Sequence, residues 1–297
     1  MRYKIAAVIC TYNRVRYLKN ALESFKTQSI PTSLFQLIVI DNNSTDDTAS
    51  VTKKFIAENP ALPVTYYLET NKGLSEARNR GWKEADAPVI AYLDDDAIAD
   101  PNWLKALVDF FDGHTNAVGA GGKVIPLFED GEPEWMSKYL NGYAGKVDYG
   151  VPAKVFDEKM KYPAGCNMAW KRDILEKVGG FNKNLRFRSD DKYIFFEVKN
   201  VSAEIWWVPG AMVNHVVDHE RLKFDNFKKL YLKTGNEEKI RLNGSVKKLA
   251  EYFIKLCASV AMYLFFLVKG QPLKGKYLFL AQFYTFKGYL MKEVFVR

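Results

Sequence analysis

The stretch VIAYLDDDAIADP, residues 89–101, sets three consecutive aspartates directly behind an apolar run with strand character. Like charges repel, so Asp94, Asp95 and Asp96 call for either full solvation in a turn or a bound cation, because hard divalent ions prefer carboxylate oxygens. The surroundings decide between the two. YKIAAVIC (3–10), FQLIVID (35–41) and PVTYYLE (63–69) are strand-like in the same way, and each precedes a helix-like stretch. The first helix covers about 15–26, with Leu18, Ala21, Leu22 and Phe25 on one face. Ser44 and Asp47 form a capping-box-like start for a second, to about Glu58. A third spans 75–85, and Asp100-Pro101 opens a fourth through about Phe111. Four βα units in a row predict a parallel sheet with right-handed crossovers. Ligands of such sheets sit beyond the carboxyl ends of the strands.

Those ends carry TYNR (11–14), DNNSTDD (41–47), NKGLSEARNRG (71–81) and the three aspartates. Asn, Asp, Ser and Gly are ordinary turn residues one at a time. Four such clusters on the one ligand-binding edge point to a site. No G-x-G-x-x-G follows the first strand and no Walker lysine loop is present, which weighs against dinucleotide and P-loop chemistry.

Apolar residues make up 48% of the 297 and charged residues 26%, the balance of a folded α/β chain. Cys10, Cys166 and Cys257 form no C-x-x-C pair, which favours a reducing compartment over a disulfide scaffold or zinc site. The start MRYKIAAVICTYNR reads as the first strand and not as a signal peptide. The net charge of +8 is uneven. From Arg221 onward 16 basic residues face 5 acidic ones, a balance of +11, whereas residues 1–220 carry 27 against 30, a balance of −3. The body is therefore no nucleic-acid binder, and the tail is built to meet something anionic.

The ordered series VICTYNR (8–14), LIVIDNNSTDDT (37–48), NKGLSEARNRG (71–81) and AYLDDDA (91–97) resembles the nucleotide-sugar half of family 2 glycosyltransferases of the GT-A fold. YPAGCNMAWKRDILEKVGGFN (162–182) resembles their acceptor-side segment, SDDKYIFFEVK (189–199) their acidic catalytic segment, and IWWVPGAMVNHV (205–216) their closing strand with its histidine. The likeness covers about residues 3–216. It implies an α/β, Rossmann-like mixed sheet with helices on both faces: a GT-A domain over 1–220, with a nucleotide-sugar half to about 124 and an acceptor half from about 125. Residues 221–297 follow as a basic, apolar helical tail.

The resemblance also implies roles. Asp94 and Asp96 face the ribose and a divalent metal, Mn²⁺ or Mg²⁺, on the donor diphosphate, with Asp95 beside them and His215 completing the metal site. His219 is the rival histidine. Asp41 binds the base, bordered by Thr11, Tyr12, Asn13 and Arg14. Asn43, Asn71 and Gly73 belong to the same donor site, and Arg78 contacts base or phosphates. The family's Glu-Asp pair falls on Asp190 and Asp191, so the first position is one methylene shorter. Asp191 is the expected general base, and an Asp pair there also suits a helix cap for 192–199. Asn167, Trp170 and Asp190 are the expected acceptor contacts. The implied reaction is inverting transfer from a nucleotide sugar, with a family tendency toward uridine, to a hydroxyl of a glycan or lipid-linked acceptor.

Residues 125–160, rich in Gly, Pro and aromatics, read as a long insertion beside the site, where Trp135, Tyr139, Tyr143 and Trp170 either stack on sugars or pack inward. A glycoside hydrolase needs two carboxylates but no nucleotide site. A sugar nucleotidyltransferase needs a glycine-rich, lysine-bearing loop that is missing. A catalytically inactive GT-A-like binding protein would not need Asp94, Asp96 and Asp191. In the tail, the charge-free apolar run Leu256–Val268 holds 13 residues against the roughly 20 of a bilayer span. The expectation is a helix lying in the interface, lysines toward anionic headgroups. Packing on the catalytic domain, or a contact in a homo-oligomer, is the alternative. The first reading puts the chain in the cytoplasm, peripheral on the inner membrane face.

Overall fold

The computed structural model describes residues 1–185 and 189–291; 186–188 and the last tail residues, 292–297, lie outside the described residues. The described chain forms two compact units. One comprises residues 1–126, 145–185 and 190–216; the other contains 127–144 and 217–291.

The first unit begins with the four βα repeats. They are β1 (Ile5–Thr11), α1 (Val15–Glu23), β2 (Phe35–Asp41), α2 (Thr48–Glu58), β3 (Val64–Leu68), α3 (Leu74–Glu84), β4 (Val89–Asp94), the short β5 (Ala97–Ala99) and α4 (Trp103–Gly113). Then come β6 (Gly119–Phe128), β7 (Lys154–Val155), β8 (Met168–Lys171), α5 (Arg172–Val178), α6 (Asp190–Lys199) and β9 (Ile205–Val217). The sheet order is β3-β2-β1-β4-β8-β6-β9-β5, with β7 on β9. β3, β2, β1 and β4 run parallel, and β8 joins β4 antiparallel.

Alternation along the strands explains the two packed faces. Ile5, Ala7 and Ile9 of β1 and Leu37 and Val39 of β2 meet Leu18 and Leu22 of α1, Phe55 of α2 and Trp103 and Leu104 of α4. Ala6, Val8, Ile38 and Ile40 point the other way, toward Ala77 and Trp82 of α3 and Ile194 and Phe195 of α6. A side chain at Gly81 would put its Cβ 2.3 Å from Val8 Cγ1, so α3 lies this close to β1 only over a glycine. The expected α1 face is buried as read, with Phe25 falling in a 3₁₀ turn, Ser24–Thr27.

The start of α2 differs from the capping-box reading. Asp46 accepts from the N–H and hydroxyl of Thr48, while Ser44 Oγ takes the N–H of Asn13 instead. A side chain two residues before the helix reaches its first N–H more directly than Ser44 does.

The second unit holds α7 (His219–Leu222), α8 (Phe224–Arg241), α9 (Val246–Val268) and α10 (Pro272–Leu290). Its core gathers Trp135, Tyr143, Phe227, Phe266, Leu278 and Ala281. Trp135 stacks on Tyr277 with ring centroids 4.5 Å apart, so Trp135 and Tyr143 pack inward while Tyr139 stays exposed. Residues 127–144, read from the sequence as part of the acceptor half, thus belong to the helical unit. The helix α9 runs 23 residues, and by length and composition it is long and apolar enough to cross a membrane. The helix is longer than its 13-residue charge-free core because it continues back through Lys255 and Glu251 to Val246.

Candidate active site

Strand register brings the predicted ends together. Thr11 pairs with Asp41 across β1–β2, Asp41 with Leu68 across β2–β3, and Cys10 with Asp94 across β1–β4. Thr11 and Asp41 are buried, whereas Tyr12 is 45% exposed, with Lys72 Nζ 5.6 Å from its ring. Asn13 (φ +53°) and Asn43 (φ +64°) take the left-handed backbone that asparagine tolerates. Asn13 Oδ1 accepts from Thr45 N–H at 2.7 Å. Gly73, at φ +142°, occupies a conformation open to glycine alone just before α3. Asn42, one of the polar residues after β2, fastens the neighbouring loops: its side chain donates to the carbonyls of Glu69 and Asn71 and accepts from Gly73 N–H. Asn71, exposed, donates its N–H to Glu69 Oε1 at 2.7 Å. Asp41 meets the donor edge with both oxygens engaged, one by Ser44 N–H and one by the Tyr66 hydroxyl, each at 2.8 Å.

The three aspartates are balanced by two arginines. Arg14 lies 2.7 Å from Asp96 Oδ2 and 3.3 Å from Asp95 Oδ1, and Arg78 lies 3.0 Å from Asp94 Oδ1. Burial pushes the Asp95 carboxyl up to about 7; Arg14 opposes the rise and Asp96 adds to it. β5 pairs antiparallel with β9, setting Ala97 opposite His215, and this brings His215 Nε2 to 3.5 Å from Asp96 Oδ1. Both side chains are buried. His219, the rival, instead meets Asp130, both exposed, in the helical unit.

Among the described residues no group of three His, Cys, Asp or Glu is arranged to hold a metal. Asp96 and His215 offer one carboxylate and one imidazole. Such a pair suits an ion that takes its remaining ligands from phosphate and water, as Mg²⁺ commonly does. Asp94, expected in the same set, is directed to Arg78 instead.

Arg78 itself departs from its expected role. It is 2% exposed, and its guanidinium bridges Asp94, Asp190 and the carbonyl of Gly165. Burial works against its charge, but Asp190 and Asp94 outweigh that and hold its pKa above the ordinary value. Three acceptors within the protein and this burial turn the guanidinium inward. Asp191 opens α6 beside Asp190. Its Oδ2 accepts from Gly165 N–H at 3.2 Å and its Oδ1 from Lys192 N–H at 2.7 Å, and both aspartates lie within the first turn of the helix rather than at a cap before it.

The acceptor expectations are corrected by burial. Trp170 is fully buried on β8, beneath Gly119, where inward alternation sends it into the second core. Asn167 is 1% exposed; it donates to the carbonyls of Lys123 and Ala211 and accepts from Trp103 Nε1. Asp190 is turned to Arg78. All three hold the scaffold rather than lining an open surface. Gly165, in contrast, joins the site through its backbone, and a glycine between the small residues Ala164 and Cys166 is its signal in the sequence.

Residues 6–179 match glycosyl transferase family 2. A glucosyl-dolichyl phosphate glucuronosyltransferase of Haloferax volcanii is 29% identical over 232 residues, 75% of this chain and 72% of that protein. The minor teichoic acid biosynthesis protein GgaB of Bacillus subtilis is 31% identical over 196 residues, 65% of this chain but 21% of that longer protein. Among solved structures, the mannosyltransferase PcManGT from Pyrobaculum calidifontis, in complex with GDP-Man and Mn²⁺, gives a TM-score of 0.66 at 16% identity, over 96% of this chain and 87% of the other. S. aureus TarS 1-349 in complex with UDP-GlcNAc gives 0.60 at 16% identity, over 96% and 89%. These likenesses carry the fold: the curled mixed sheet flanked by helices is of the GT-A type. With more than half of its length inside the family match, the chain belongs to glycosyl transferase family 2.

Proposed function

We propose that the chain is an inverting, metal-dependent glycosyltransferase. It moves a sugar from a nucleoside diphosphate sugar, a UDP-sugar first among them, to a hydroxyl of a glycan or lipid-linked acceptor. The observation that carries this reading is that one buried arginine, Arg78, binds both Asp94 of the donor turn and Asp190 of the acidic segment. The donor turn is thereby joined through one side chain to the acidic segment, whose next residue is Asp191.

Tyr12, Asn13, Asn43, Asn71 and Gly73 border the nucleoside, with Thr11 beneath them. Asp41 reaches the base by exchanging its Ser44 or Tyr66 partner. Arg14, the partly exposed cation of the donor edge, turns from Asp95 and Asp96 toward the diphosphate. Asp96 and His215 would hold a Mn²⁺ or Mg²⁺ ion, which when bound neutralises charge on the departing diphosphate. Asp191 accepts the proton of the acceptor hydroxyl as its oxygen forms a bond to the anomeric carbon. The bond from that carbon to the phosphate oxygen breaks with its electron pair, and the configuration inverts.

The acceptor class is supported by the relatives, one named for a dolichyl phosphate substrate and one for teichoic acid synthesis. A lipid-linked acceptor places the enzyme in the cytoplasm, held peripherally on the inner membrane face by its helical unit. Phe253, Ile254, Val260, Leu264, Phe265 and Val268 of α9 are exposed, and lysines flank the stripe.

The test is a panel of nucleotide sugars with Mn²⁺ or Mg²⁺, scored by thermal shift and by release of nucleoside diphosphate. At least one donor should stabilise the protein and turn over. If no nucleotide sugar or nucleoside diphosphate shifts the melting transition with either metal, the transferase reading is lost.

A further inference from the structure

We infer that Arg78 is a positioning residue that fixes the base carboxylate relative to the donor turn. The inference rests on the proposed role of Asp191. It begins with one peptide group. The carbonyl of Gly165 accepts from Arg78 Nη2 at 3.2 Å, while its N–H donates to Asp191 Oδ2 at 3.2 Å. Arg78 thus reaches Asp191 by two routes: through the Gly165 peptide, and through Asp190, the residue immediately before it, which the Arg78 Nη1 holds. Its third contact, Asp94 Oδ1 at 3.0 Å, belongs to the donor turn.

Packing leaves this junction little freedom. The guanidinium carbon lies 5.9 Å from the Tyr92 ring centre and 5.8 Å from that of Phe181. The Tyr92 hydroxyl donates to the Arg78 carbonyl at 3.1 Å, which ties down the backbone as well. A Cβ at position 165 would stand 2.7 Å from Arg78 Nη2, so the peptide approaches the guanidinium only as glycine. Three acceptors from β4, α6 and the segment before β8 converge on one planar donor fork. Arginine serves such a set and lysine, a point charge, does not. Misplacing a reacting group by about 1 Å can cost about 10²-fold in rate. An arginine that locates the base should therefore act on turnover and leave donor affinity alone.

The experiment uses the full chain, UDP with Mn²⁺ as the binding probe in calorimetry, and turnover on the donor found in the panel above. Arg78→Lys should stay folded, keep UDP affinity within about twofold and lose at least about tenfold in kcat. Asp190→Asn should do the same. In an Asp191→Asn background, Asp190→Asn should then change kcat by less than about twofold, because its effect passes through the base. Equal losses in both backgrounds would overturn the inference, since a purely structural pair weakens the enzyme whatever the base. A UDP affinity loss in Arg78→Lys that matches its loss in kcat/KM would overturn it too, making Arg78 a donor contact. Should Arg78→Lys fail to fold, Gly165→Ala and Asp190→Asn carry the same comparison. Near-normal turnover of Asp191→Asn alone would sink the base assignment, and that result is read separately from the Arg78 variants.

Discussion

His215 Nε2 stands 3.5 Å from Asp96 Oδ1 because β5 and β9 pair Ala97 with His215 and the Asp96 carbonyl takes the N–H of Val216 at 2.8 Å. A short antiparallel pairing therefore delivers a histidine from the far end of the chain to the third aspartate of the turn. Asp96→Ala should abolish the extra thermal stabilisation that Mn²⁺ gives in the presence of UDP. The metal-free fold should survive, since removing one of three clustered carboxylates relieves like-charge repulsion. Full wild-type turnover in excess chelator would remove the metal from the mechanism.

The scaffold role of Asn167 gives a second test. Asn167→Ala removes the partner of the buried Ala211 carbonyl, the part-buried Lys123 carbonyl and the buried Trp103 indole N–H, and each unsatisfied buried group costs about 1–3 kcal/mol. The unfolding free energy from denaturant titration should fall by several kcal/mol in total, with the acceptor KM of the folded fraction unchanged. A raised acceptor KM at unaltered stability would restore Asn167 to the acceptor surface.

The contrast between Asp41 or Asp94 and Asn167 shows what was legible in the sequence. Strand ends could be placed because apolar runs, turn residues and the parallel-sheet rule all act over a few neighbouring positions. Register then put Thr11, Asp41 and Asp94 on one edge. Whether a polar side chain faces a ligand or another strand depends on partners far along the chain. Asn167 answers to β6, β9 and α4, and Asp190 to an arginine 112 residues earlier. Asparagine and aspartate look alike in either role. Trp170 was misplaced for the same reason: its face is chosen by pairing Ile90 with it across β4–β8, which no local pattern encodes.

Asp46 offers a pH-dependent prediction. Slight burial pushes its carboxyl up, but the Thr48 hydroxyl and the N–H groups of Val15 and Thr48 prevail and hold it below its ordinary value. A depressed carboxylate contributes stability above its unfolded pKa, about 4, and loses it as pH falls through the folded value. Asp46→Ala should cost about 1 kcal/mol at pH 7, the usual worth of a helix cap. Its difference from wild type should shrink as pH drops below about 4. Asp47→Ala, which removes no side-chain cap bond, should be close to neutral. The reverse order of the two variants would move the cap to Asp47.

The membrane contact is the last prediction. Along α9 the buried positions Tyr252, Ser259 and Phe266 recur every seven residues, and Gly275 of α10 lets Tyr263 and Phe266 approach closely. The opposite stripe, from Phe253 to Val268, is exposed and apolar, with Lys255 near one end and Lys269 at the other. Only a minor part of the helix is covered by protein, 17% of its most apolar window. An apolar stripe bounded by cations matches an anionic bilayer surface, where apolar side chains enter the acyl boundary and lysines meet headgroups. The full chain should co-sediment with vesicles containing anionic lipid, less with neutral ones, and less as salt is raised. Because Leu264 and Phe265 are exposed, Leu264→Glu with Phe265→Glu should leave the fold intact and weaken binding at least about tenfold. Retention after alkaline carbonate extraction would mean that α9 spans the bilayer, as its 23 residues permit. A chain that stays in the supernatant with anionic vesicles at low salt would turn the stripe into a protein contact, to be sought next in its oligomeric state.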